Sequence, residues 1–297
     1  MNYLIVNDIW SVKGGTERRL VDYEEFLKND GHHVYVQTTE RYDDVDYSII
    51  DVAEFHNVSY FGFEIFELFV AKYPGKTIFY PHDFYPVCMM RVLGRRILGK
   101  FRRCEKPGFF RCSQCVGIKT YIQVMRRLDV FKKAETMKLV SHFMVEKYKR
   151  LGFKPSRFIV DVQKVNREYR VLPDIRRENN LIGFSGRNAE YKGFLVLEKA
   201  IEILRKKNVD FKFEHTGDNN WLSLDDMIVF YNRTKVVVVP SIWEEPAPLV
   251  AREAKACGAL VVASDIGGVR ETNPDFIFKA GDASELAGIL QRIVEKR

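Results

Sequence analysis

Nowhere in this sequence do about 18 apolar residues run together, so it offers no transmembrane helix. The opening MNYLIVNDIW lacks a basic n-region and reads as a strand, which argues against a secretory signal. Five cysteines and six dispersed histidines do not make the framework of a secreted disulfide scaffold, and a reducing, cytoplasmic setting is the expectation. With ten prolines and 19 glycines in 297 residues the chain is neither collagenous nor of low complexity, and it holds no internal repeat. What it does have, 46% hydrophobic and 29% charged residues, is the balance of a soluble globular protein long enough for two domains of ordinary size.

Charge is distributed unevenly. The formal net charge is +7, but residues 91–157 carry 19 lysines and arginines against four acidic residues, a net of +15. The rest of the chain therefore sums to −8. A basic stretch of this size suggests an anionic partner: a membrane surface, a phosphorylated acceptor or nucleic acid. A set of solvated helix faces is the plainer alternative.

The hydrophobic pattern alternates between short apolar runs and helical spacing. Strands are expected at 3–7, 33–38, 47–55 and 77–80, with helices at 16–29 and 61–72. Residues 83–116 break the rhythm and contain four of the five cysteines. A helix at 120–131, a strand at 137–140, a helix capped by Ser141 and a strand at 158–162 follow. After Pro173 the alternation restarts: strands at 181–185, 211–215, 236–239 and 260–263, helices at 194–207, 224–232, 249–257 and 283–295. Two doubly wound α/β halves result, 1–168 with a cysteine-rich insertion at 83–116, and 169–297. Ligands of such folds bind at the carboxyl ends of the strands, here in a cleft between the halves.

The segment 240–268, PSIWEEPAPLVAREAKACGALVVASDIGG, sets Glu245 before a helix and Glu253 inside it, with seven residues between. A helix start offers unpaired N–H groups to a phosphate or sugar oxygen, and a carboxylate two turns later can accept from a vicinal diol. On spacing alone, two helix-surface glutamates are the simpler explanation of the pattern.

The wider pattern resembles the retaining glycosyltransferases of family 4 (glycosyltransferase group 1), which have the GT-B fold of two Rossmann-like domains facing across a cleft. Their E-x7-E follows a strand ending in P-S and precedes E-A-x-A-x-G and V-V-A-S-D-x-G-G, all present here. GFSGRNAEYKG at 183–193 resembles the family's G-R…K-G segment, and the start GGTERRLVDYEEFLKNDGHHVYV its glycine-rich first loop and helix. VAEFHNVSYFG and TIFYPHDFYP resemble its two histidine-bearing strand ends, and VSHFMVEKYKRLGF the last helical region of its first domain. The resemblance implies that Arg187 and Lys192 hold the donor diphosphate, Glu245 the sugar and Glu253 the ribose. It places Gly14, Gly15, Gly217 and Leu249 beside the donor, and His82 beside the transferred sugar, with His56 at the other strand end. Catalysis by His82, Glu245, Arg187 and Lys192 then needs no metal. The departing diphosphate's growing charge calls for such cations.

Three features depart from the family pattern. One strand–helix unit between Thr216 and Val236 is missing, which leaves UDP and GDP both open as the base. Pro248 replaces a glycine and removes an N–H donor. The chain also stops one helix past Gly281, without the family's final crossover helix, which implies a looser hinge.

Cys88, Cys104, Cys112 and Cys115 form C-x15-C-x7-C-x2-C, a set that could hold structural zinc or an iron–sulfur cluster, or four reduced thiols. The reading is a transferase moving a sugar from a nucleotide-sugar donor to an unknown acceptor, lipid-linked if the basic stretch docks at an anionic membrane surface. The rivals are a nucleotide-sugar epimerase of the same fold and a non-catalytic membrane- or nucleic-acid-binding protein.

Overall fold

The computed structural model describes residues 1–10, 15–97, 100–104, 107–162, 164–217 and 220–296; for 15–18 and 96 only the backbone is described. The chain divides into two units, Met1–Val162 and Gln163–Arg297. The division falls a few residues ahead of the boundary expected at 168. Val165 and Tyr169 explain the shift, because both pack into the core of the second unit.

The first unit runs β1 (Asn2–Val6), α1 (Gly15–Asn29), β2 (His33–Gln37), β3 (Val52–Phe55), α2 (Phe63–Lys72), β4 (Thr77–Phe79), β5 (Gly94–Ile97), β6 (Lys100–Arg103), α3 (Phe109–Val116), α4 (Ile118–Phe131), β7 (Thr136–Leu139), α5 (His142–Arg150) and β8 (Arg157–Val160). Six strands form a sheet in the order β2-β1-β3-β4-β7-β8. All its pairs are parallel. The chain moves from β1 to β2 on one side and then returns to β3 on the other. The loops after β1 and β3 thus flank a topological switch point, where α/β folds leave a crevice. The expected strand at 47–55 is shorter. Asp46 accepts from Ser48 N and nucleates a 3₁₀ turn at Tyr47–Ile49, so pairing begins at Val52. The insertion contains an antiparallel hairpin of β5 and β6, followed by α3.

An aromatic cluster ties the insertion to the sheet. Phe131, at the end of α4, stacks on Phe79 of β4 at 4.9 Å and 7°. It also meets Phe63 and Phe66 of α2, and Tyr85.

The second unit runs β9 (Leu181–Ser185), α6 (Phe194–Lys206), β10 (Lys212–Thr216), α7 (Leu224–Arg233), β11 (Val236–Val239), α8 (Leu249–Ala256), β12 (Leu260–Ser264), β13 (Phe276–Phe278) and α9 (Ala283–Glu295). Its parallel sheet has the order β10-β9-β11-β12-β13. The valines of β11 are all buried because helices cover both faces of the sheet. On one face Leu197, Ile201 and Leu204 of α6 pack with Leu286, Leu290 and Ile293 of α9. On the other, Ile228 and Tyr231 of α7 pack with Ala251 and Ala254 of α8. Here the switch point lies between β9 and β11. Gly193, in the loop after β9, has φ +76, and a Cβ there would stand 1.7 Å from Pro240 O. Only glycine lets that loop rest on the end of β11.

Phe131→Ala would empty the centre of the aromatic cluster. The expected cost is about 3–5 kcal/mol of unfolding free energy, measured by denaturant unfolding; a loss below about 1 kcal/mol would show that α4 is not anchored there.

Candidate functional site

The second unit gathers its chemistry at its switch point. Glu245, in the loop after β11, is buried, and Lys192 Nζ donates to its Oε1 at 2.5 Å. Ser241 Oγ donates to the same oxygen at 2.9 Å. Main-chain bonds brace the carboxylate from both sides: Ile242 N donates to Tyr191 O, and Gly268 N to Glu245 O. The ammonium of Lys192 also lies 5.4 Å from the ring centre of Trp243, a cation–π distance. The buried indole Nε1 of Trp243 has no acceptor among the described residues.

Around this pair stand the other expected contacts. Arg187 follows β9, is exposed, and forms no salt bridge among the described residues. Gly217 ends β10 with φ +135, and a Cβ there would lie 2.0 Å from Gly186 O, so the loops after β9 and β10 touch backbone to backbone. Leu249 opens α8 behind Pro248, with no side chain capping the helix start, and its first amides are available. Glu253 lies one turn further on and accepts from Tyr231 OH at 3.0 Å. The structure thus brings Lys192 and Glu245 into direct contact, sets Arg187 and Gly217 on neighbouring strand-end loops, and puts Leu249 at the start of α8. Glu253 is held on the α7 side of the same helix.

The first unit presents a different chemistry. His56 follows β3 and His82 follows β4. Their rings stack at 5.1 Å and 9°, and His56 Nδ1 shares a hydrogen bond of 2.8 Å with His82 Nε2. Beneath them a charged layer lies between α1 and the sheet. His56 Nε2 faces Glu54 at 3.5 Å; Lys138 Nζ pairs with Glu54 at 3.2 Å and with Asp161 at 3.5 Å. Arg19 closes the layer on Asp161 at 2.7 Å, and Tyr80 OH donates to Asp161 at 2.8 Å. The sequence reading missed Glu54, Lys138, Asp161 and Arg19. Their only signal was a single charge in each of two otherwise apolar strands, VAEF and TMKL.

Burial pushes the His56 ring below its ordinary value despite the adjoining Glu54. His82, though partly open to solvent, goes well below 6.5: loss of solvation leads, and His56, Arg19 and Lys138 add to it. Burial also opposes ionisation of Glu54, but the adjoining His56 and the charge of Lys138 outweigh this and lower its pKa. Asp83 moves the other way, to about 6, mainly by burial, with Arg91 only partly offsetting it. Both imidazoles are therefore neutral, and a neutral imidazole can face developing positive charge without repelling it.

Gly14 lies outside the described residues, and Gly15 begins α1. The four insertion cysteines line a single cavity, yet no group of three or more His, Cys, Asp or Glu among the described residues is gathered to hold a metal ion. Among the described residues, the four thiols suggested by the spacing are not drawn together into a metal-binding group. Val87, Met90 and Leu128 share the cavity wall with the thiols and keep it open and apolar. Nor is any helix among the described residues long and apolar enough to cross a membrane.

Residues 179–296 match the family model for glycosyl transferases group 1. Among curated proteins, the chain is 30% identical over 187 residues to a D-inositol 3-phosphate glycosyltransferase of Paenarthrobacter aurescens, covering 54% of this chain and 45% of that one. It is 28% identical over 146 residues to a probable glycogen synthase of Methanocaldococcus jannaschii, covering 40% of this chain and 27% of that one. The chain thus spans less than half the length of these curated relatives. In three dimensions it is similar to a glycosyltransferase of Rickettsia africae, with a TM-score of 0.68 at 18% identity over 98% of this chain and 87% of that one. It is also similar to Anabaena HepE solved with UDP and glucose, with a TM-score of 0.64 at 16% identity over 100% and 90%. The fold is that of the GT-B glycosyltransferases.

The histidine pair carries a pH signature. In the unfolded chain both rings take up a proton near 6.5, whereas in the folded protein they resist it. Below that pH the unfolded state binds more protons, so stability falls as the pH drops. Asp83 acts oppositely, adding stability as the pH falls from about 6 toward 3.8. Replacing both histidines by asparagine removes only the first effect. The melting temperature of the variant should therefore fall less between neutral pH and pH 5 than that of the wild type; an equal fall would contradict the assignment.

Proposed function

We propose that this chain is a retaining glycosyltransferase of family 4, moving a sugar from a nucleotide-diphosphate donor to an acceptor. The observation that carries the reading is the Lys192–Glu245 pair at the switch point of the second unit. The match over residues 179–296 covers this unit. The relatives named above bear transferase or synthase names, which favours transfer over epimerisation. HepE was solved with UDP, which supports a nucleotide-sugar donor here.

In this reading the diphosphate is held by Lys192 and by Arg187, whose guanidinium forms no salt bridge with the described residues. The amides of Leu249 and its successors in α8 add to the hold, with the helix dipole assisting. Gly217 lets the chain approach the phosphates, a part that the family resemblance also gives to Gly14 and Gly15. Glu245 meets the sugar hydroxyls once Lys192 turns to the phosphate, and Glu253 accepts from the ribose. The orphaned indole N–H of Trp243 gives the site a further donor for a ligand oxygen.

As the glycosidic bond to phosphate loosens, charge grows on the leaving diphosphate and is met by two fixed cations. The anomeric carbon becomes cation-like. In the role that the resemblance gives it, a neutral His82 would not repel that carbon, and the leaving phosphate oxygen takes the acceptor's proton on the same face. Retention follows from that same-face path. None of these steps uses the glycosidase arrangement of an acid and a nucleophile across a bond.

UDP or GDP should raise the melting temperature, because a ligand stabilises the state that it binds. Arg187→Ala should weaken nucleotide binding by about 1.5–3 kcal/mol, or about one to two decades in affinity. The absence of a shift with either nucleotide at high concentration would remove the donor assignment.

A further inference from the structure

The cavity in the insertion has no part in the donor reading. Its volume is about 220 Å³, and it is walled by Val87, Met90, Val124, Met125, Leu128 and the four thiols. Four cations line the same cavity: Arg95, Arg111, Lys132 and Arg150. An apolar space with a cationic margin matches a ligand that is apolar along most of its length and anionic at one end.

The surface around the cavity has the same character. Among the described residues, eight of the 20 exposed large apolar side chains lie between Met89 and Met125. Phe110 is 79% exposed, Ile122 60% and Ile118 57%. Helix α4 carries two apolar stripes. Tyr121, Val124, Met125 and Leu128 line the cavity, while Ile118 and Ile122, at i and i+4, leave more than half of their surface in water. Lys119 and Arg126 stand exposed beside the outer stripe. A solvated helix face would not concentrate bare isoleucine and phenylalanine where the chain is most basic. A phosphate-binding nucleic-acid face would not need them either.

We infer that this insertion seats a membrane lipid with a phosphate-bearing head group, its chain in the cavity and its phosphate on the arginine margin. That such a lipid is also the sugar acceptor rests on the transferase reading; the binding does not. Nearby basic residues strengthen attraction to anionic lipid, and apolar side chains at the boundary add buried area.

The test is co-sedimentation with vesicles rich in phosphatidylglycerol against vesicles of phosphatidylcholine alone, with UDP-induced thermal stabilisation read on the same samples. The wild type should bind the anionic vesicles, release them as salt rises, and ignore the neutral ones. Arg95→Glu with Arg111→Glu should weaken binding at least about tenfold, and Val124→Trp, which fills the cavity, should weaken it as well. Should Val124→Trp not fold, Ile118→Ser with Ile122→Ser on the exposed stripe tests the same contact. Stabilisation by UDP should survive in every folded variant, so loss of lipid binding is distinguishable from loss of the donor site. The inference is overturned if the wild type ignores anionic vesicles at low salt, or if these variants bind them unchanged. It is also overturned if duplex DNA displaces the vesicles at equal charge, or if purified protein carries one zinc per chain on the four thiols.

Discussion

A buried carboxylate whose cation sits 2.5 Å away on a separate loop is the constraint around which the second unit is arranged. Glu245 is 4% exposed, and a carboxylate buried to that degree is costly unless it is paired and hydrogen-bonded. Lys192 and Ser241 supply the partners. To bring Lys192 there, the loop after β9 must lie directly on the end of β11, which is why Gly193 can carry no side chain. The pair also leaves a task unfinished. Lys192 keeps part of its surface in solvent, so its ammonium can exchange a carboxylate for a phosphate without first being dug out of the core. In the proposed transferase, such an exchange would couple occupation of the phosphate site to release of Glu245 toward the sugar.

The first unit solves the opposite problem. Its sheet carries Glu54, Lys138 and Asp161 under α1, where apolar residues would be expected, and Arg19 balances the carboxylates. This layer is a set of paired charges with two imidazoles at its open end, in which Glu54 Oε2 and His56 Nε2 make no hydrogen bond among the described residues. Removing one member would strand another in low dielectric, a change far more damaging than the loss of a surface ion pair. Fixed charges beneath neutral rings keep those rings neutral and aligned. In the proposed transferase, that state is the one that would not repel an anomeric carbon turning positive.

Much of the architecture was legible because buried parallel strands are short apolar runs, and VVVV at 236–239 has no other plausible reading. The misreadings have physical causes. Tyr47–Ile49 looks like strand, but Asp46 captures a backbone amide and turns the chain. The hairpin of GRRI and KFRR was invisible because arginine-rich strands lack the apolar alternation that marks a half-buried sheet. FIF at 276–278 is too short to stand out. Lys192 and Glu245 lie 53 residues apart, and no local rule joins them; only the resemblance did. The buried charges of the first unit were missed because a lone Glu or Lys in a strand ordinarily points to water. The C-x2-C spacing suggested metal, whereas in the fold the thiols share their cavity with apolar side chains.

The central claim is that the Lys192–Glu245 junction is where the donor's phosphates bind. A crystal structure of the protein with UDP tests it most directly. Diphosphate oxygens are expected within hydrogen-bonding distance of Lys192 Nζ, the Arg187 guanidinium and the first amides of α8, with the Lys192–Glu245 contact loosened. UDP bound elsewhere, with Lys192 still on Glu245, would contradict it.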